Sequence, residues 1–420
     1  MFSLLNYRIG FFLAIRQLKR SSIWTNVLIT FVMVLTFLNL VVVSGILVGL
    51  IQGAVDAVRT HYTSDIIIST PINKNYIENS PAVVQLLRAD SRIEHFSARY
   101  LKAATVEANY KTKIKETDKT DIANASLAGI DPVAEEQVAD LSRYIVEGSF
   151  LVPTDYDQVV IGAYLVKKYM PVDSPGFTTL SGDIKPGTKI RLNLGNNIQH
   201  EVTIKGILKS KIDEVNMRIF MVDSQFRNLV GRNDFNVNEI AIKLKPGVDP
   251  NVVRDDLKRN GVDRVAKVQT YEDAEPKFVK DMIQTFALLG DIFSSIGLVV
   301  AAITIFIVIF INAITRRKFI GILKGIGISG EAIEISYVIQ SFFYAITGSI
   351  VGLLIVYVGL QPFIAAHPID FPFSDGILVA PVASTLFRIA LLILSTIIAG
   401  YIPARMIVKK NTLDSILGRN

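Results

Sequence analysis

The sequence predicts an α-helical membrane protein with four transmembrane helices and a mixed α/β external domain inserted between the first and second. Three observations carry that prediction. Four stretches of the 420 residues are long and apolar enough to cross a bilayer, and Lys and Arg crowd alternate ends of those stretches. A long segment of balanced charge separates the first stretch from the other three. Half of the residues are hydrophobic and the mean hydropathy is +0.40, high for a soluble enzyme and low for a chain that is all membrane.

Residues 1–20 precede the first apolar run. Leu4, Tyr7, Phe11, Ile15 and Leu18 recur at spacings of three and four, and Arg16, Lys19 and Arg20 gather at the far end, so the segment reads as a cytoplasmic helix lying in the membrane plane. Residues 21–55 carry no charge and form the first transmembrane helix, too long an uncharged run for a cleaved leader. The second lies in 282–315, the third in 335–361 and the fourth in 377–404, whose one charge is Arg388. Such a cation costs roughly 2.5 to 3.5 kcal/mol at the bilayer centre. Snorkelling to the outer interface would remove most of that cost, and a polar contact between subunits is the alternative. Gly45, Gly49 and Gly53 recur every fourth residue in the first span, as Gly348 and Gly352 do in the third, which permits close helix approach.

Cations flank the spans at residues 1–20, Arg316–Lys324 and in the tail 405–420, and none lies in the loop from Gln361 to Asp375. Both termini are therefore expected in the cytoplasm, with residues 56–281 outside. That external segment holds 31 Lys and Arg against 32 Asp and Glu, so the overall net charge of +6 resides in the flanks. No nucleic acid partner is expected from that distribution. The absence of cysteine excludes disulfides and thiolate metal sites.

The external domain is expected to contain two β-α-β units. In the first, "SDIIIST" and "FSARYLKAATVEA" are strands around the helix "NSPAVVQLLRAD", with Ser80 as N-cap and Pro81 at the first helical position. In the second, "NEIAIKL" and "DRVAKVQT" flank "DPNVVRDDLKRNG", capped by Asp249, started by Pro250 and stopped by Gly261. They bracket a strand-rich subdomain at about 120–232, where "KPGTKIRLNLGNNIQHEVTIKGIL" alternates around a Gly-Asn-Asn turn and "MRIFMVD" adds a strand. The charged stretch "ETDKTDIANAS" reads as an exposed loop leading into it.

No constellation of catalytic groups emerges. His61, His95, His200 and His367 are scattered without metal-ligand spacing, no GxSxG elbow occurs, and "GDIKPGTK" departs from a phosphate loop in both order and context. Asp255 and Asp256 sit among Arg254, Lys258 and Arg259, as on a solvated helix face. The chain reads as a non-catalytic subunit with no metal site and no cofactor of its own.

The informative segment is "RRKFIGILKGIGISGEAIEI", the cytoplasmic connection 316–334 between the second and third spans. Phe319, Ile322 or Leu323, and Ile326 make one apolar stripe of a short helix, with Gly321 and Gly325 leaving a smooth opposite side. Gly327 stops it, and Ser329 caps the next helix, with Glu331 and Glu334 in the first turn. A short helix displaying apolar and small residues to the cytoplasm is a docking element.

That segment resembles the loop of FtsX-like, MacB-like ABC transporter permeases, the superfamily of macrolide-exporter, lipoprotein-releasing and cell-division permeases. "FLAIRQLKR", "AGIDP", "VEGSFL", "VVIGAYLVKKY" and the C-terminal "AGYIPARMIVKKNTLDSIL", with Gly400, Pro403 and Arg405, extend the resemblance over nearly the whole chain. Asn411 and Thr412 stand where the family usually has Asp-Pro. The resemblance implies a mechanotransmission machine in a bacterial inner membrane: a dimer with an identical or paralogous second permease, and two copies of a separate ATPase subunit that carry the ATP and Mg. It implies that Arg316, Phe319, Ile320, Gly321, Leu323, Lys324, Gly325, Ile326, Gly327 and Ser329 form the coupling helix seated in that ATPase. It further implies export or extraction of a lipid, lipoprotein or peptide, with room for a periplasmic or outer-membrane partner. The alternative output is regulatory, activation of a periplasmic or cell-wall partner without transport.

Overall fold

The computed structural model describes residues 4–111, 121–170, 178–195, 198–274, 277–367, 370–371, 374–375 and 378–409. The chain forms two compact units: Met1–Gln52 with Asp281–Phe371 and Asp375–Asn420, and Gly53–Lys280 with Pro372–Ser374. The first is helical and the second is built on a sheet.

The helical unit begins with α1 (Leu4–Arg20), which packs on the third span. Its buried side is Gly10, Leu13, Ala14 and Gln17, whereas Leu4, Tyr7, Phe11 and Ile15 of the predicted stripe are exposed. Among the described residues four helices are long and apolar enough to cross a membrane: α2 (Ile23–Thr63), the second within Lys277–Thr315, the third Gly330–Ala366 and the fourth Val382–Val408. The first runs past residue 55 because helical backbone continues through the polar residues that end the apolar run, with π-helical turns at Asn39–Val43 and Arg59–Thr63. The third starts at Gly330, so residues 330–334 of the predicted connection are already helix, and the fourth starts at Val382. The core of this unit gathers Met33, Phe37, Ile305, Ile309, Ile333, Tyr337 and Leu392.

In the α/β unit, β1 (Ile66–Ser69), α3 (Ser80–Ala89) and β2 (Ile93–Glu107) form one predicted β-α-β unit. Its cap differs from expectation: Asn79, in the left-handed region at φ 55°, precedes the helix without a side-chain cap, and Ser80 is already helical. The Ser80 hydroxyl instead donates to the Ile77 carbonyl and accepts from the Val237 amide. Next come β3 (Ile122–Ile130) and α4 (Pro132–Ala139), capped by the Asp131 carboxylate. Ile122 to Ser126, expected in a loop, are strand residues of β3 paired with β2, while 112–120 lie outside the described residues. The middle of the unit supplies β4 (Ile145–Gly148), β5 (Gln158–Gly162), β6 (Lys189–Asn193), β7 (Gln199–Leu208), β8 (Arg218–Val222) and α5 (Asp223–Val230).

The second β-α-β unit runs β9 (Glu239–Leu244), α6 (Pro250–Arg259) and β10 (Lys267–Thr270). Asp249 caps α6 by accepting from the Asn251 amide, and Gly261 follows it at φ 83°. The strand expected over "DRVAKVQT" is limited to Lys267–Thr270, because Val262–Arg264 form a 3-10 turn.

These ten strands join one sheet in the order β10-β1-β9-β2-β3-β8-β5-β7-β4, with β6 against β2 and β7. The strand-rich middle is therefore not a separate sheet. Strand β2 is long enough to pair β9 with its first half and β3 and β6 with its second. Its apolar residues still divide, Phe96 and Ala98 joining one core and Tyr100, Ala104 and Val106 another.

Candidate functional site

The connection between the second and third spans folds as α8 (Arg317–Gly325), separated from α7 (Lys277–Thr315) by Arg316 alone, and leads into α9 (Gly330–Ala366). Gly327 turns the chain at φ 94°, a conformation that disfavours a side chain, and the Ser329 hydroxyl accepts from the Ala332 amide to cap α9.

Of the predicted coupling residues, Ile320, Gly321 and Leu323 are buried against the helical core, while Phe319, Gly325, Ile326 and Gly327 are exposed. Ile322 is exposed beside them, so the outward apolar stripe is Phe319, Ile322 and Ile326. The glycines do not share a free face as expected. Gly321 is turned inward, because the helix must bury one stripe, and only Gly325 borders the exposed face, where a Cβ would meet nothing within 4 Å. Ile326, 72% exposed, is the most outward large side chain.

The back of α8 is pinned. The Lys324 ammonium donates to the Val408 carbonyl at the end of the fourth span, α10 (Val382–Val408), at 3.0 Å. The Ser329 hydroxyl donates to the Asn6 amide oxygen at 3.0 Å, and the Asn6 amide donates to Glu331 at 2.9 Å, joining α1 to α9. Deeper in the unit Gln340 donates to Gln17 and Tyr344 to Asn26. Arg316 is half-buried where α7 gives way to α8.

Gly348, Gly352 and Gly45 pack closely within the helical unit. A Cβ on Gly348 would meet the Met33 Cβ at 2.5 Å, one on Gly352 would run into the Phe37 ring, and one on Gly45 would meet the Val379 carbonyl oxygen at 3.1 Å. Gly49 is buried and Gly53 half-buried. In the C-terminal motif, a Cβ on Gly400 would collide with Ser341, Pro403 lies inside α10, and Arg405 donates to the Tyr401 hydroxyl. Arg388 donates to Ser384 at 3.0 Å and to Ser44 on α2.

The α/β unit holds a buried ionic cluster that periodicity did not single out. Arg99, 2% exposed, is gripped by Glu135 through Nε and Nη2, and Ser97 donates to the same carboxylate at 2.7 Å. Arg218 makes two bonds to Glu239 at 2.9 and 3.0 Å, and Tyr62 donates to Glu239 at 2.9 Å. The Tyr62 carbonyl accepts from Arg99. The available signal was an arginine inside each of the strand runs "FSARYL" and "MRIFMVD", where an unpaired charge is untenable. Burial pushes the Glu239 carboxyl up, but the charges of Arg218 and Arg99, with hydrogen bonds from Arg218 and Tyr62, outweigh it and hold the group below its usual range. Among the described residues no cluster of His, Asp or Glu suits a metal ion.

Four apolar spans with an α/β unit inserted after the first define a polytopic membrane protein of permease type. The chain belongs to the FtsX-like permease family: residues 30–260 match the MacB-like periplasmic core domain and residues 292–412 the FtsX-like permease C-terminal domain. It is 26% identical over 244 residues to an uncharacterized ABC transporter permease, MJ1507, of Methanocaldococcus jannaschii, over 56% of this chain and 58% of that one. Thus the chain spans somewhat over half the length of that curated relative. Among solved structures it is similar to the periplasmic region of MacB from Actinobacillus actinomycetemcomitans, with 14% identity and TM-score 0.35, over 54% of this chain and 95% of that chain. It is also similar to the extracellular domain of the noncanonic ABC-type transporter YknZ from Gram-positive bacteria, with 15% identity and TM-score 0.29, over 49% and 98%. Family membership rests on the two sequence-family matches.

Proposed function

We propose that this chain is the membrane subunit of a mechanotransmission-type ABC transporter, moved by a separate ATPase that docks on α8. The observation that carries the reading is the exposed apolar face of Phe319, Ile322 and Ile326 beside Gly325, on a helix whose other side is buried and pinned. A side chain here gains by burying itself against a partner, and the pinned back converts a push on α8 into motion of α7 and α9 instead of local deformation. ATP and Mg belong to the partner; this chain supplies the surface and the levers.

In this reading the termini and α8 are cytoplasmic, on the Lys and Arg count of the flanks, and the α/β unit lies across the membrane. Two permeases and two ATPase subunits make the complex, in a bacterial inner membrane. The exposed stripe of α1 suits a helix lying at the membrane surface. The output is displacement of an amphiphile, a lipid, lipoprotein or peptide, by the α/β unit. The test is ATPase activity of the complex reconstituted with its ATPase: stimulation by an amphiphile supports transport. An unresponsive complex that binds a stable protein partner through the α/β unit would replace transport with regulation.

A further inference from the structure

Arg388 on α10 and Asp291 on α7 form no ion pair with any described residue. Arg388 lies six residues into α10, and Asp291 stands on α7 immediately before its uncharged run, residues 292–315. The Arg388 guanidinium donates to two neutral hydroxyls, Ser384 one turn nearer the helix N-terminus and Ser44 on α2, which leaves N–H donors over. Asp291 is exposed and closes no ion pair with Arg388, although the Ser44 hydroxyl that Arg388 reaches lies 3.9 Å from where a Cβ on the preceding Gly290 would stand. A charge such as Arg388, inside an otherwise apolar run, is costly unless something compensates it.

Below them lies an apolar groove of about 420 Å³ between the same two helices, lined by Ala302, Ile303 and Phe306 of α7 and Ser395, Ala399 and Ile402 of α10. Ala302 follows Asp291 by eleven residues and Ala399 follows Arg388 by the same eleven. Eleven residues are three helical turns and roughly 16 Å of rise, so each charge stands on the groove-facing side of its helix, N-terminal to the groove. Cation, anion and apolar channel are therefore aligned on one seam.

We infer that this seam binds a zwitterionic membrane phospholipid with a primary amine, its phosphate on Arg388, its ammonium on Asp291 and an acyl chain along the α7–α10 groove. A headgroup with both charges supplies a partner for each of these unpaired side chains, and a phosphate satisfies the spare guanidinium donors in the geometry Arg favours. A purely anionic lipid would meet Asp291 with the wrong sign. The inference requires no ATPase and stands apart from the transport reading.

The test is native mass spectrometry of the full chain released from nanodiscs containing equal phosphatidylethanolamine and phosphatidylglycerol. Wild type is expected to retain phosphatidylethanolamine about tenfold over phosphatidylglycerol, the discrimination one charge-assisted contact supplies. Asp291→Asn should bring that ratio to about one. Arg388→Gln should lose both lipids, with Arg388→Lys restoring part of the retention. Ser395→Phe, which fills the groove and leaves both charges in place, should also lose retention. Glycerophosphoethanolamine, the headgroup without chains, should not displace the lipid at equal concentration. Equal retention of the two lipids by wild type, an Asp291→Asn ratio unchanged from wild type, or displacement by the chainless headgroup would overturn the inference. The exposed Asp291 keeps the test open even if Arg388→Gln folds poorly.

Discussion

Replacing Glu135 by alanine tests the buried ionic cluster, because the structure fixes what is left behind. Glu135 and Arg99 are 1% and 2% exposed, and the carboxylate takes Nε, Nη2 and the Ser97 hydroxyl. In Glu135→Ala all three donors lose that acceptor, and the nearest remaining carboxylate is Glu239, 3.6 Å from Arg99 Nη1 and already engaged by Arg218 and Tyr62. Stranding one member of a buried pair costs about 3 to 5 kcal/mol. In hydrogen exchange of the full chain in detergent, that cost lowers protection of the slowest β2 and β9 amides by roughly two to nearly four orders of magnitude. Glu135→Gln keeps an acceptor of the same shape and is expected to lose less. A fall of under tenfold in Glu135→Ala would refute the reasoning, since the cluster would then contribute no more than an exposed pair.

Acid should weaken the same region. Glu239 has a folded pKa below its usual 4.5, so the folded state binds its proton less readily than the unfolded chain. Its contribution is complete above the unfolded value and is lost as pH falls from there through the lowered folded value, a slope that Glu239→Gln should reduce in urea melts between pH 6 and 3. Gly348→Leu should lower the detergent melting temperature by several degrees, because its Cβ meets Met33 at 2.5 Å and overpacking costs about 1 to 3 kcal/mol. Ile322→Glu or Gly325→Trp should abolish co-purification of an ATPase while membrane insertion stays intact, read by pull-down beside membrane extraction, because neither change touches the four apolar spans.

Much of this architecture was legible in the sequence, where the signal is strong and local. Uncharged runs longer than a bilayer is thick mark the spans whatever they pack against. Asp249-Pro250 and Gly261 mark both ends of α6 because capping and left-handed backbone are properties of a few neighbouring residues. What escaped depends on partners distant in sequence. Ser80 was expected to cap a helix, but its hydroxyl is engaged by Ile77 and Val237. Gly321 and Gly325 read alike in the sequence, and only the packing of α8 turns one inward. Arg99 and Glu135 are 36 residues apart, and Arg388 finds Ser44 across 344, so no periodicity could pair them. The helix continuing to Thr63 escaped because composition marks where apolar residues end, which is not where backbone hydrogen bonding ends.

Docking of an ATPase on α8 can be measured directly, because the chain's lack of cysteine leaves an introduced thiol without competitors. Ile326→Cys places a single thiol on the outward face of α8, and Val133→Cys places one on an exposed position of the α/β unit. Each tagged variant is expressed in its native membrane, treated with a short thiol-to-amine crosslinker, purified under denaturing conditions and sequenced by mass spectrometry. The account predicts a Walker-motif ATPase bound through residue 326 and absent from residue 133. Capture of no ATPase at 326, under conditions where the untreated complex stays assembled, would contradict it.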